Sequence, residues 1–143
     1  MVILVDQIKE DLQNLFFEDV LYSDIIVKEK YDILPKVSYP CVLIEETENN
    51  DVEKYHDETE EVTGLAYIIT INAEQSEDKT AIQNVRTIAD KIDTYFKGKK
   101  YRCLKRLGGL ILKPLPNDST VMTGYLTYNC YVSNKTNTIY RRT

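Results

Sequence analysis

A chain of 143 residues, 43% hydrophobic and 29% charged, has the size and composition of one globular domain that can bury about two thirds of its unfolded surface in a single core. No apolar run approaches the roughly 20 residues that span a bilayer, which excludes a helical membrane span. Net charge is a mild −5, yet 22 acidic and 8 basic residues precede Lys97 whereas 1 acidic and 10 basic residues follow from it, an asymmetry suited to complementary contacts within one molecule or between copies.

The first five residues reach Asp6 without the basic start or small-residue cleavage site of a secretory signal, so the expected location is the cytoplasm. Val5, Ile8, Leu12, Leu15 and Phe16 then form a helical stripe opposite Asp6, Lys9, Glu10, Asp11, Gln13 and Asn14, predicting a helix over residues 3–19. Between 20 and 40 the pattern weakens, and Pro35 and Pro40 forbid a regular helix. An extended connection follows, with room for one short strand at 25–28.

Residues 41–47 alternate as a compact strand that starts sharply after Pro40. Residues 45–61 hold nine acidic residues and one lysine, with a turn signal at Asn49-Asn50-Asp51, and read as a long solvated loop joining two antiparallel strands. The stretch 62–97 is the centre of the pattern. Leu65, Tyr67, Ile69 and Ile71 alternate with Gly64, Ala66, Ile68, Thr70 and Asn72 as a strand, and Ala81, Val85, Ile88, Ala89, Ile92, Tyr95 and Phe96 form one stripe of a helix. Asp78 and Thr80 are both acceptable N-caps, Thr80 with Gln83 has capping-box spacing, and Gly98 ends the helix.

Residues 101–112 read as a strand interrupted at Gly108-Gly109, where a bulge or close backbone approach is expected. Residues 114–119 are a turn. Residues 121–133 close the core, with Met122, Leu126, Tyr128, Cys130 and Val132 on one face and Thr123, Tyr125, Thr127, Asn129 and Tyr131 on the other. The expected fold is α+β, a four-stranded, mainly antiparallel sheet of two hairpins packed against two amphipathic helices. Residues 1–133 form the single domain, and 134–143 a C-terminal tail or arm.

Chemistry is sparse. Cys41, Cys103 and Cys130 are odd in number and lack the paired short spacing of a zinc site, so they read as buried structural thiols. His56 lies in the acidic loop, which supplies neither fixed geometry nor a tuned environment for a catalytic base. The loop's carboxylates lack the DxDxDG ladder of a calcium site. Gly108-Gly109 lacks phosphate-loop spacing, and GxSxG, HExxH and GxGxxG are missing. Asp90 and Asp93 fall on the polar side of the second helix, where solvation or a neighbouring lysine explains them. Lys99, Lys100, Arg102, Lys105 and Arg106, interleaved with Tyr101, could contact phosphate, but alternation divides them between faces and the pI near 5 is low for a nucleic-acid domain. The chain reads as a non-enzyme without cofactor or metal.

Element order and several phrases resemble the tail terminator, or tail completion, proteins of long-tailed bacteriophages and related tail-like particles. The resemblance rests on the leading amphipathic helix, the phrase SYPCVLIEE from Ser38 to Glu46, and the long polar loop. It continues with AYIITINA from Ala66, KTAIQNVRTIADKIDTYF from Lys79, and the closing hairpin. It implies a structural virion-assembly subunit that forms a ring, typically of six copies, which caps the tail tube and joins it to the head. Its partners would be itself, tail tube protein and a head-completion connector, with DNA passing through the lumen unbound. It would be found in the host cytoplasm during assembly and in the virion afterwards.

Under that resemblance Glu53, Asp57, Glu58, Glu60 and Glu61 are candidates to line the channel or an interface, where they would repel DNA. Lys99, Lys100, Arg102, Lys105 and Arg106 are a candidate basic interface. Gln83, Arg86, Asp90, Lys91 and Asp93 are weaker candidates for subunit contacts. A different neck connector of the same particles is the near alternative. A small metal- or ligand-binding enzyme is the distant one, which would need His56 or the cysteines to converge.

Overall fold

The computed structural model describes residues 4–30, 39–48, 62–98, 101, 104–115, 118–133 and 138–140. In chain order its elements are α1 (Leu4–Phe17), β1 (Ile26–Glu29), β2 (Cys41–Glu48), β3 (Val62–Glu74), α2 (Ala81–Phe96), β4 (Lys105–Leu115), β5 (Asp118–Ser133) and β6 (Thr138–Tyr140). The sheet runs β1-β2-β3-β5-β4. β3 pairs with β5 along its whole length, so β6, which pairs with Tyr131 to Ser133, takes the β4 side of β5.

The α+β class and both antiparallel hairpins, β2 with β3 and β4 with β5, are present. The expected count of four strands is too low, because β1 adds to the edge in parallel with β2 and β6 adds to β5. The short strand for which 25–28 left room is present as β1, but four residues put only two side chains on each face, too few to count it into the sheet, and the three residues of β6 show less. β6 also lies within the segment expected to be a tail or arm. Most of the turn expected at 114–119 is strand: β4 runs through Pro114, opposite Met122, and β5 starts at Asp118. Proline is tolerated there because β4 is an edge strand.

Alternation sorts β3 into two surfaces. Leu65, Tyr67, Ile69, Ile71 and Ala73 are buried toward the helices together with Val42, Ile44, Leu126, Tyr128 and Cys130. α1 covers β1 and β2 with Val5, Ile8, Leu12 and Phe16, while α2 covers β3 and β5 with Val85, Ile88, Ala89, Ile92 and Phe96. At Gly124 the approach is so close that an added Cβ would stand 2.5 Å from Val85 Cγ1. The other sheet surface is mixed and half-buried, with Leu43, Ile68, Thr70, Tyr125 and Thr127 exposed in part. One cross-strand row on it, Cys41-Asn72-Thr123, is buried and satisfies itself: Thr123 Oγ1 donates to Asn72 Oδ1 (2.6 Å), and Asn72 Nδ2 points to Cys41 Sγ (3.7 Å).

Local chemistry fixes the ends of these elements. Thr80 is the N-cap of α2, accepting from Gln83 N (3.2 Å) while Gln83 Oε1 accepts from Thr80 N (2.9 Å), so two otherwise orphaned donors are satisfied. Gln13 of α1 reaches the outer edge of β1. Its Nε2 donates to Ile25 O (2.8 Å) and its Oε1 accepts from Val27 N (2.9 Å), which closes part of an edge that would otherwise invite another strand.

Candidate interaction surfaces

The acidic-loop candidates Glu53, Asp57, Glu58, Glu60 and Glu61 lie outside the described residues, as do Lys99, Lys100, Arg102, His56 and Cys103. Lys105 and Arg106 are described, and they do not share a surface. Lys105 stands opposite Asn129 on the helix-free side, whereas Arg106 stands opposite Tyr128 on the helix side. Alternation of a strand separates them.

Arg106 belongs to a clamp that fastens α2 to the β4-β5 hairpin. Asp93 is 8% exposed; its Oδ1 accepts from Tyr128 Oη (2.8 Å), and its Oδ2 lies 3.3 Å from Arg106 Nη1 and 3.2 Å from Lys97 Nζ. Burial works against the Asp93 carboxylate. The Tyr128 hydroxyl and the two cations outweigh it and hold its pKa below the ordinary value. Burial first, and then the hydrogen bond to Asp93 and its charge, push the Tyr128 hydroxyl upward. The neighbouring lysine expected beside Asp93 is present as Lys97, but Asp93 is buried and not solvated, and Lys91 of the polar face is bound to Asp19 just after α1. That ion pair, with the Leu21 amide, lowers the Asp19 pKa.

The same end of α2 holds an aromatic cluster. Phe96 meets Tyr128 edge to face at 4.9 Å and Tyr101 at 5.2 Å between ring centroids. Tyr101 Oη donates to Asp11 Oδ2 at 2.5 Å, tying the α2-β4 connection to α1.

Once Arg106 is removed from it, the basic surface of β4 has a simple form. Lys105, Leu107, Ile111 and Lys113 stand opposite Asn129, Thr127, Tyr125 and Thr123, so all four project from the helix-free side. The register slips between Leu107 and Ile111, where Gly108 adopts φ +68°, a conformation that glycine accepts without strain. Leu107 is 44% exposed and Ile111 55%. The stripe is thus apolar in its middle and cationic at both ends.

Away from β4, the end of α1 and the turn before β1 leave Phe17, Val20 and Leu21 exposed at 73%, 94% and 72%. Beside them opens a cavity of about 270 Å³ whose lining includes Leu21, Tyr22, Tyr39, Pro40, Asp24, Glu74 and Asp78. Asn84 forms its floor, accepting from Tyr22 Oη (3.1 Å) and donating to Glu74 O (3.0 Å) and Ser76 Oγ (3.2 Å). Lys79 is the one cation among the described lining residues, 6.0 Å from the Tyr22 ring centroid. Neither surface shows in the sequence pattern, because exposed leucines and valines carry no periodic signal.

Among the described residues no three His, Cys, Asp or Glu side chains cluster as a metal site, and no helix is long and apolar enough to cross a membrane. Cys41 and Cys130 are buried free thiols; burial raises the Cys41 pKa, only partly offset by Asn72, which keeps it protonated and unreactive. No protein-family model matches the chain, and no curated protein matches it either.

Proposed function

We propose that this chain is a ring-forming tail-assembly subunit that caps a tail tube and joins it to the head of a phage or phage-like particle. The reading rests on the resemblance in element order and local phrases to tail terminator proteins. One structural observation supports it most: two separate exposed apolar surfaces carry opposite charge, one flanked by lysines on the edge strand β4 and one by acidic residues around the turn from α1 to β1 and the end of β3, the kind of pair that heterologous contacts between identical subunits require. Six copies of a 16.6 kDa chain would make a ring of about 100 kDa. On this reading the protein works by binding tube protein, a head connector and itself, with no bound cofactor, and its place is the neck of the virion. Glu53, Asp57, Glu58, Glu60 and Glu61 would face DNA in the lumen and repel it, so that it slides.

The test is to polymerise a tail tube protein with and without the chain and to image the products. Tubes that stop growing and carry a ring at one tip support the proposal. Tubes of unchanged length that never bind the chain refute it.

A further inference from the structure

All five large apolar side chains that stand exposed among the described residues fall into the two surfaces described above, Phe17, Val20 and Leu21 before β1 and Leu107 and Ile111 on β4. Apolar exposure gathered in this way marks contact surfaces more than scattered single residues do. Charge divides along the same line. Lys105 and Lys113 flank the β4 stripe and have no ion-pair partner among the described residues, while Glu18, Asp24, Glu74, Glu77 and Asp78 are exposed around the other surface.

Deepening the ring-forming reading, on which it rests, we propose that the β4 stripe of one copy docks on the acidic end of the next. Leu107 and Ile111 cover Val20, Leu21 and Phe17, and a lysine from the end of the stripe enters the neighbouring cavity. A lysine suits that cavity in both halves. Its four-carbon stem packs on Tyr22, Tyr39 and Leu21, and its ammonium meets Asp24, Glu74 and Asp78.

Topology makes the contact intermolecular. β4 and β1 are the two edges of the sheet, with three strands between them, and Phe17, Val20 and Leu21 lie just before β1, so one copy cannot lay its own stripe on them, although Glu74 is nearer, on the central strand β3. A contact between two different surfaces leaves one of each unused on every dimer, and the series ends only when it closes. The contact is made by side chains and does not extend the sheet. The slipped register at Gly108-Gly109, the missing N–H of Pro114 and the two lysines all disfavour strand addition along β4.

Sedimentation velocity over a wide concentration range tests this with paired charge reversals. Wild-type protein should self-associate, less so as salt rises. Lys105→Glu with Lys113→Glu should weaken association by roughly tenfold or more, and so should Asp24→Lys with Glu74→Lys and Asp78→Lys. An equimolar mixture of the two variants should recover it, since each offers the charge that the other now needs. Val20→Ser with Leu21→Ser, which leaves every charge in place, should weaken it as well. These positions are exposed, and circular dichroism melts confirm that each variant remains folded.

Wild-type association left intact by the reversals, or a mixture that fails to recover, overturns the contact but not the ring-forming reading. A wild type that stays monomeric at every concentration also overturns it. Recovery in the mixture, by a protein that never binds tubes, upholds the contact and removes the tail-assembly reading instead.

Discussion

Removing one oxygen, with Tyr128→Phe, tests whether the Asp93 clamp holds α2 on the sheet. Asp93 is buried and charged, and Tyr128 supplies its shortest hydrogen bond, at 2.8 Å. Arg106 and Lys97 stand farther off and are partly or largely in solvent, so their ion pairs contribute less. A hydrogen bond to a charged group is worth about 1.5–3 kcal/mol, so Tyr128→Phe should destabilise the fold by about 2 kcal/mol. With an unfolding entropy of about 0.3 kcal/mol/K for a chain of this length, the melting temperature should fall by about 7 °C. Lys97→Ala should cost less than about 1 kcal/mol. The assay is urea unfolding of Tyr128→Phe, Asp93→Asn and the double variant, which isolates the coupling between the two side chains.

The pH dependence follows from the direction of each shift. The folded pKa of Asp93 lies below its ordinary 3.8, so its stabilisation is complete above about pH 5 and is lost as the pH falls through the depressed folded value. Tyr128 is raised from 10.0, so its share is complete below that pH and is lost as the pH rises through the higher folded value. Asp93→Asn should therefore flatten the acid limb of the stability curve. Tyr128→Phe within about 0.5 kcal/mol of wild type, with coupling near zero, would refute the clamp.

Three further outcomes are expected. Gln13→Ala should leave global stability within about 1–2 kcal/mol of wild type yet accelerate amide exchange across β1 selectively, with β3 unchanged. Gly124→Ala should cost about 1–3 kcal/mol in chemical unfolding through its collision with Val85, and adding Val85→Ala should recover part of that loss. Thr80→Ala should cost about 1 kcal/mol in the same assay, while Thr80→Ser stays near wild type because it keeps the capping oxygen.

What could be read in advance was whatever repeats within a dozen residues. The alternation from Leu65 to Ile71, the α2 stripe and the Thr80-Gln83 capping box all appear in the structure where local spacing places them. Asn84 and Asp93 did not yield to that method, although each sits three and four residues from members of the α2 stripe and so lies on its flank. A polar residue there is solvated unless a distant side chain meets it. Tyr22 and Tyr128 do so, at sequence separations of 62 and 35. Gln13 falls on the polar side of α1 by spacing for the same reason, since its partners are backbone atoms at Ile25 and Val27, beside a strand too short to show a period. The division of the basic cluster between faces followed from strand alternation, but the pairing of Arg106 with Asp93 required the register of β4 on β5.

Immunogold labelling of intact particles with an antibody against this chain decides whether it is a neck component of a tailed particle. Gold should sit at one point per particle, where tail meets head. Label along the tube or at the distal tip, or particles with no label at all, would contradict it.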